Sequence, residues 1–254
     1  MIKLNCDLGE GYGNWQLVDE ALVMPYIDMA NVACGFHAGD PLTVHRTVQL
    51  AKAHGVQIGA HPSYPDLVGF GRRSMACPPE EVTAMVLYQA GALQGLCAAE
   101  GTQLAYIKPH GALYHDMMGK EEVYRAILES VRKMELDIPV MLMATPEREK
   151  FETIASEYSV PLLFEAFADR RYRPDGTLTP RSETGAVLQD AEAVVEQVKN
   201  IAAGHVVASD GGRYPLQADT ICVHGDNPHA VAVIKEVRKA LKSRRDDLEA
   251  GDRL

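Results

Sequence analysis

Four of the nine histidines directly follow short apolar segments, and this placement is the first sign of chemistry in the chain. They are His37 in "NVACGFHAGD", His61 in "VQIGAHPSYPDL", His110 in "LAYIKPHGALY" and His224 in "TICVHGD". An imidazole can donate or accept a proton near neutral pH, or bind a metal ion. One such histidine is often a structural residue, but four at equivalent places indicate a shared site.

Carboxylates and a lysine follow the same kind of segment. Lys108 and His110 alternate along an extended stretch and therefore share one face. A lysine between apolar residues and a proline needs a carboxylate or an anionic substrate beside it, because burying a lone charge is costly. The candidate catalytic residues are Asp7, Glu10, His37, Asp40, His61, Lys108 and His110.

A divalent metal ion is one use for part of this set. Asp7, His37 and His61 follow successive apolar segments and form a workable group of ligands with one open position. No local H-x-x-x-H or H-E-x-x-H pattern supports the assignment. The same three residues could also be hydrogen-bonding groups in a site without metal, and the sequence leaves both interpretations open.

Residues that could bind a substrate lie on the same turns. Arg72, Arg73 and Arg170 could hold a carboxylate or phosphate through paired hydrogen bonds, with a surface salt bridge as the alternative for any one of them. The candidate substrate-binding residues are Asn5, Tyr64, Arg72, Arg73, Tyr114, Glu165, Asp169, Arg170, His224 and Asp226.

The elements that must position these residues repeat one pattern seven times. A short apolar strand ends in a polar turn, and an amphipathic helix follows, which predicts a parallel sheet with right-handed crossovers. The carboxyl ends of the strands in a closed parallel barrel meet on one face, where the active sites of such barrels lie. The second strand is predicted over residues 31–34, and the helices over 18–24, 42–54, 80–99, 121–134, 146–158, 191–203 and 229–241.

Seven units without a linker predict a single α/β domain over residues 1–254, a seven-stranded parallel (β/α) barrel with a solvated tail at 242–254. An open doubly wound sheet is the alternative, and it would normally carry a glycine-rich phosphate loop after its first strand. Gly9, Gly11 and Gly13 read G-x-G-x-G rather than G-x-G-x-x-G. The chain also lacks a G-x-x-x-x-G-K-[ST] motif, so we predict no P-loop.

Composition argues against several classes of partner. The 254 residues carry a formal net charge of −10, without the concentrated Lys/Arg footprint that nucleic acid requires. The amino terminus lacks the apolar region of a signal peptide, and no apolar run reaches the roughly 18 residues of a membrane helix. Five cysteines without C-x-x-C pairs indicate reduced thiols. We therefore expect a cytoplasmic protein that binds neither nucleic acid nor membrane, as a monomer or a homo-oligomer.

Six motifs in order resemble the LamB/YcsF family, the family of the 5-oxoprolinase A subunits. They are "LNCDLGEGYG", "NVACGFHAGDP", "GAHPSYPDLVGFGRR", "KPHGALYH", "EAFADRRY" and "CVHGD", and they extend from Asn5 to Asp226. The resemblance implies a distorted TIM barrel of the glycoside hydrolase/deacetylase kind. It also implies ATP-dependent hydrolysis of 5-oxoproline (pyroglutamate) to L-glutamate, carried out together with subunits B and C.

The residues can be given roles in that reaction. Asp7, with Glu10 or Asp40 behind it, would activate water, and His37 and His61 would orient or polarise the substrate. Lys108 and His110 would stabilise the developing anion, and Arg72, Arg73 or Arg170 would hold anionic groups. Two alternatives are a stand-alone metal-dependent amide hydrolase or deacetylase, and a non-catalytic subunit that only presents the substrate.

Overall fold

Seven parallel strands close into a barrel in the computed structural model, which describes residues 2–17, 19–180, 183–223 and 228–251. The predicted seven-stranded parallel barrel is thereby confirmed. Its strands are β1 (Lys3–Leu8), β2 (Met29–Ala33), β3 (Gln57–His61), β4 (Leu104–Ile107), β5 (Val140–Met143), β6 (Leu162–Phe167) and β9 (Thr220–Cys222). β9 closes the ring by pairing with both β6 and β1. A separate antiparallel pair, β7 (His205–Val207) and β8 (Arg213–Pro215), precedes it.

Helices follow the strands and cover the outside of the barrel. They are α1 (Glu20–Val23), α2 (Pro41–His54), α3 (Pro79–Ala99), α4 (Gly111–Gly119), α5 (Glu121–Lys133), α6 (Arg148–Ser156), α7 (Ala191–Ala202) and α8 (Pro228–Gly251). A 3-10 turn, Met24–Tyr26, continues α1.

Two helices differ from the prediction. The sequence pattern did not predict α4, because its first residues, after His110, read as a glycine turn. The last helix was expected to end at residue 241, but it continues to Gly251, through a stretch that contains Arg, Leu, Glu and Ala, which favour helix. The predicted tail at 242–254 is therefore helical as far as Gly251, and residues 252–254 lie outside the described part.

The barrel interior is filled by alternate residues of the strands, as the two-residue period of a strand requires. Met29, Tyr106 and Met141 form a small apolar cluster there, apart from the main core. A Cβ atom on Gly59 would lie 2.0 Å from the ring of Tyr106, so the glycine makes the room that this ring needs. The Tyr106 hydroxyl can thus reach the polar groups above it.

The helix α3 is long and apolar enough to cross a membrane by length and composition, which the sequence pattern did not predict. In the structure Val82, Val86 and Leu93 on one of its faces are buried in the core. Gln89 of the same face binds the backbone of Ser63 on both its N–H and its carbonyl. This is the placement of an outer-layer helix of a barrel.

Candidate active site

Lys108 occupies the mouth of the barrel between two carboxylates. Its ammonium nitrogen lies 3.0 Å from Asp7 Oδ1 and 3.0 Å from Glu165 Oε2. Asp7 belongs to β1, Glu165 to β6, and Lys108 follows β4 directly, so the closure of the barrel brings the three together. The sequence required one anionic partner for this lysine, and the structure supplies two.

The charges of this group do not cancel. Burial lowers the pKa of Lys108, but the carboxylates of Asp7 and Glu165 outweigh that effect and hold the pKa well above its ordinary value. The lysine is therefore charged. Two carboxylates that share one ammonium group leave one negative charge in a low-dielectric position, where it has a strong effect on neighbouring groups.

A layer of buried amides and hydroxyls supports the carboxylates from below. Asn31 Nδ2 donates to Asp7 Oδ1 at 2.7 Å and to Asn5 Oδ1 at 2.8 Å, and the Tyr106 hydroxyl donates to Asn31 Oδ1 at 2.7 Å. Asn5 was predicted as a substrate-binding residue, but it lies below the cleft and orients other groups. Sequence reasoning missed Asn31 and Tyr106, although an asparagine inside an apolar strand was an available signal.

Three of the four predicted histidines meet beside Asp7. His61 Nε2 lies 3.4 Å from Asp7 Oδ2 and 3.0 Å from His110 Nδ1. The rings of His37 and His110 stack with their centroids 3.7 Å apart and their planes within 3°. Glu10 Oε1 lies 3.1 Å from His37 Nε2 and 3.5 Å from His110 Nδ1. We refer to Glu10, His37, His61 and His110 as the histidine cluster.

The loop after β3 holds this cluster in place. The Phe70 carbonyl accepts a hydrogen bond from His110 Nε2 at 2.9 Å, and its ring packs edge-on against His37 and His110. Phe70 itself has a φ of 54° and the following Gly71 a φ of 64°, both in the left-handed region. A Cβ on Gly71 would lie 2.9 Å from atoms of both His37 and His110, so the loop approaches the imidazoles closely only because residue 71 is glycine.

Burial keeps two of these imidazoles neutral. It lowers the pKa of His37 well below its ordinary value and that of His110 to about 2, and in each case a neighbouring histidine acts in the same direction. Neutral imidazoles can accept a proton or bind a metal ion through the free lone pair. The cluster is therefore suited to either role rather than to carrying fixed positive charge.

Lys108 with its two carboxylates and the neighbouring histidine cluster open into one cleft of about 1150 Å³. This exceeds the roughly 300–1,000 Å³ typical of small-molecule sites. Arg170 is buried on its wall and donates to the Thr179 carbonyl at 2.7 Å, while Arg72 is exposed at the rim, over the ring of Phe70. Predicted residues that line the cleft are Asp7, Glu10, His61, Arg72, Lys108, His110, Tyr114, Glu165 and Arg170.

Tyr114 and Glu165 face the cleft close to each other. Burial, and then the Glu165 carboxylate, raise the pKa of Tyr114 well above its ordinary value, so its hydroxyl keeps its proton. Within residues 2–17, 19–180, 183–223 and 228–251, Glu165 Oε1 and the Tyr114 hydroxyl are both buried without a hydrogen bond of good geometry, although the two side chains interact with each other. A buried acceptor of this kind is costly unless a ligand satisfies it.

Asp40, predicted as a catalytic residue, lies at the amino-terminal end of α2. It caps α2, accepting hydrogen bonds from the backbone N–H groups of Leu42 and Thr43. The Thr43 hydroxyl, followed by the Gly13 N–H, lowers the pKa of Asp40 to about 2. These donors give the carboxylate a capping role, and the catalytic role of Asp40 stays a prediction.

Arg73 and Tyr64 bind neighbouring side chains and do not line the cleft. Arg73 pairs with Asp66, and the Tyr64 hydroxyl donates to Asp116 Oδ2 at 2.9 Å. Neither of them is among the residues that line the cleft.

The last three predicted residues all come late in the chain. The Asp169 carbonyl accepts a hydrogen bond from the Leu188 N–H at 2.7 Å, and Asp169 is not among the residues that line the cleft. His224 and Asp226 lie outside the described residues.

The histidine cluster could hold a metal ion, but with different ligands from those predicted. One donor atom from each of Glu10, His37, His61 and His110 lies within 4.8 Å of the others. The predicted set had Asp7 in place of Glu10 and did not include His110. Asp7 is instead engaged with Lys108 through one oxygen, and only its other oxygen faces His61.

Comparison with known families gives one match over nearly the whole chain. The model of the LamB/YcsF family matches residues 2–252. The chain is 53% identical to the 5-oxoprolinase A subunit of Vibrio parahaemolyticus over 95% of its own length and 96% of the relative. It is 54% identical to the 5-oxoprolinase A subunit of Pseudomonas aeruginosa that carries the number 3, over 95% and 97% of the two chains.

Two solved structures resemble this chain, one in both sequence and fold and the other in fold alone. The Lactam Utilization Protein from Thermus thermophilus is 42% identical, with a TM-score of 0.89 over 96% of each chain. A GH113 beta-1,4-mannanase is 13% identical, with a TM-score of 0.52 over 94% of this chain and 99% of the other. The second likeness shows the barrel fold alone.

Proposed function

The chain belongs to the LamB/YcsF family, and from this membership we propose that it is the A subunit of a 5-oxoprolinase. The complex would hydrolyse 5-oxoproline to L-glutamate at the expense of ATP. The observation that carries the proposal is the identity of more than half the residues with relatives of that name over almost their full length. The name also implies partner subunits, which we take to be B and C, in the cytoplasm.

The chemistry of the substrate explains why ATP is needed. A five-membered lactam is a poor electrophile, and transfer of a phosphoryl group to its oxygen makes the ring carbon reactive. Water then adds to that carbon, and the ring C–N bond breaks as the nitrogen takes up a proton. The acyl phosphate that remains is hydrolysed by a second water to glutamate and phosphate. This chain has no P-loop sequence, so we assign ATP binding to the complex rather than to this chain by itself.

Asp7 is the best-placed general base. Its Oδ1 is held by Lys108 and Asn31, while Oδ2 faces His61 at the cleft. A carboxylate that is held through one oxygen and directs the other towards the cleft can take a proton from water. Lys108 already shares its charge between two carboxylates, so we assign it to holding Asp7 and Glu165 rather than to stabilising the substrate anion.

Other residues that line the cleft suit the rest of the substrate. Arg170 and Arg72 are cations that could hold its carboxylate or the transferred phosphoryl group. Glu165 Oε1, a buried acceptor, could accept the hydrogen of the lactam N–H, and the protonated Tyr114 hydroxyl beside it could donate to an oxygen. A cleft of this volume is larger than the small lactam needs, and it leaves room for a second molecule or for part of a partner protein.

Glutamate formation from 5-oxoproline tests the proposal. The chain is combined with its two partner subunits, and glutamate is measured with ATP, without ATP, and with each component left out. We expect turnover only with all components, and Asp7→Asn should reduce it by about 10²–10⁴-fold. Asp137→Asn, an exposed matched change, should leave it unaffected. Full turnover with Asp7→Asn would remove Asp7 from the reaction, and no ATP-dependent glutamate would overturn the function.

A second candidate, a stand-alone metal-dependent amide hydrolase, is favoured by the donor atoms of the histidine cluster. It predicts ring opening by this chain alone, with a divalent metal ion and without ATP. The reactions that omit ATP and the partner subunits therefore distinguish the two functions.

A further inference from the structure

The hydrogen bond of His61 determines which of its nitrogens carries a proton. His61 Nδ1 lies 2.7 Å from the carbonyl oxygen of Lys108. A carbonyl oxygen can only accept, so Nδ1 must carry the hydrogen. In a neutral ring Nε2 then carries a lone pair.

His110 is fixed in the opposite tautomer by the same logic. Its Nε2 lies 2.9 Å from the carbonyl oxygen of Phe70 and must donate. Its Nδ1 therefore carries the lone pair, and this atom lies 3.0 Å from His61 Nε2. Two lone pairs at hydrogen-bond distance repel each other, so a cation must lie between or beside these nitrogens, either a shared proton or a metal ion.

Carboxylate oxygens make the same place more electron-rich. Glu10 Oε1 lies 3.5 Å from His110 Nδ1, and Asp7 Oδ2 lies 3.4 Å from His61 Nε2. Both are acceptors when ionised. The two imidazole nitrogens thus meet two further electron-pair donors, and each ring is already anchored on its far side by a backbone carbonyl. Such anchoring through the second nitrogen is the usual arrangement of histidines that bind metal ions.

His37 is placed differently, although its Nε2 belongs to the same cluster. Its ring is nearly parallel to that of His110, at an interplanar angle of 3°. The in-plane lone pairs of two parallel stacked rings run side by side and do not converge on one ion. His37 Nε2 lies 3.1 Å from Glu10 Oε1, and Nδ1 lies 3.1 Å from the Ser63 hydroxyl. His37 is therefore suited to hold Glu10 in position.

We propose that His61 Nε2, His110 Nδ1 and Glu10 Oε1 bind one divalent metal ion, with Asp7 Oδ2 beside it and His37 as a positioning residue. Two imidazoles and a carboxylate favour an ion such as Zn²⁺, Co²⁺ or Fe²⁺ over Mg²⁺ or Ca²⁺. Bonds of about 2.0–2.1 Å in a tetrahedron place neighbouring ligand atoms roughly 3.4 Å apart. The separations of 3.0 Å and 3.5 Å around His110 Nδ1 agree with that spacing. The ion would face the cleft, which His61, His110 and Glu10 all line.

Metal binding by the full chain, without substrate or partner subunits, tests the proposal. The chelator-treated protein is dialysed against Zn²⁺ alone and Co²⁺ alone, and bound metal per chain is measured by elemental analysis. We expect about one ion per chain, with a visible Co²⁺ absorption typical of imidazole coordination. A wild-type protein that binds neither ion stoichiometrically overturns the proposal, whatever its activity in the 5-oxoprolinase assay.

Variants separate ligands from the positioning residue. His61→Gln and His110→Gln should each weaken Co²⁺ binding by more than about 100-fold, whereas His37→Gln should weaken it by about 10–100-fold and keep the visible spectrum. His54→Gln, at an exposed histidine at the end of α2, is the matched control and should bind as the wild type does. Circular dichroism establishes that each variant is folded. Tight binding with an unchanged spectrum in folded His61→Gln or His110→Gln would contradict the ligand assignment.

Discussion

The ammonium group of Lys108 lies 3.0 Å from the carboxylate of Glu165, a side chain with no exposed surface. Lys108 follows β4 and Glu165 belongs to β6, so β5 lies between their strands in the barrel. A fully buried carboxylate is stable only while its cation is present, because the desolvation of an unpaired charge costs several kcal/mol. This pair therefore connects the stability of the barrel with the chemistry above it.

Replacing the cation should destabilise the protein strongly. Lys108→Met leaves Glu165 buried without its partner, and we expect the free energy of unfolding to fall by about 3–5 kcal/mol. Glu165→Gln in the same chain removes the stranded charge, so the double variant should be more stable than the sum of the two single changes predicts. Urea unfolding gives the free energy of unfolding of the wild type, the two single variants and the double variant. Additivity within about 0.5 kcal/mol would show that the two side chains are not coupled.

The approach of the Gly71 loop to the imidazoles gives a second prediction. Gly71→Ala adds a methyl group 2.9 Å from atoms of both His37 and His110, besides the cost of a left-handed φ. Gly55→Ala is a matched control, since Gly55 has a similar φ of 67° and nothing within 4 Å of the added atom. We expect the control to lose about 1 kcal/mol of stability, and Gly71→Ala to lose about 1–3 kcal/mol more.

Thermal unfolding and Co²⁺ binding check the comparison at position 71. Gly71→Ala should bind the ion more weakly, because the rings of His37 and His110 must shift, whereas Gly55→Ala should bind it normally. Equal stability losses in the two variants would mean that the loop yields freely and does not hold the imidazoles.

The capping role of Asp40 predicts a pH dependence of stability. Its pKa is about 2 in the folded chain, below the ordinary value of about 3.9. Between these values the folded state binds fewer protons than the unfolded state, so stability falls as the pH falls from about 4 to about 2. Asparagine is a comparable helix cap without a titrating group. The Tm difference between wild type and Asp40→Asn should therefore change over this range and be constant above about pH 5.

An activity assay distinguishes a capping role of Asp40 from a catalytic role. Asp40→Asn should retain glutamate formation in the complete complex, because the capping hydrogen bonds do not involve the histidine cluster. Asp40→Ala should lose about 0.5–2 kcal/mol of stability. A large loss of turnover in Asp40→Asn, at unchanged stability, would return Asp40 to the catalytic residues.

The barrel and the meeting of His37, His61 and His110 were predictable, because strand ends in a parallel barrel must converge and each of these histidines follows a strand. The "DP" pair that starts α2 could have identified Asp40 as a cap. The place of Glu10 in the cluster was not predictable. It depends on the left-handed turn at Gly9, whose φ is 70°, and a sequence pattern does not give the direction of the side chain after such a turn.

The hydroxyl of Tyr106 supports Asp7 through one intermediate, and its removal should be measurable. It donates to Asn31 Oδ1 at 2.7 Å, and Asn31 donates in turn to Asp7 Oδ1 at 2.7 Å. Tyr106→Phe leaves the buried amide oxygen of Asn31 without that donor, which should cost about 1–3 kcal/mol in urea unfolding. Tyr88→Phe, at an exposed tyrosine of α3, should change stability by less than about 0.5 kcal/mol. If the two variants are equally stable, the polar layer below Asp7 contributes nothing to the fold, and its only role is to orient the carboxylate.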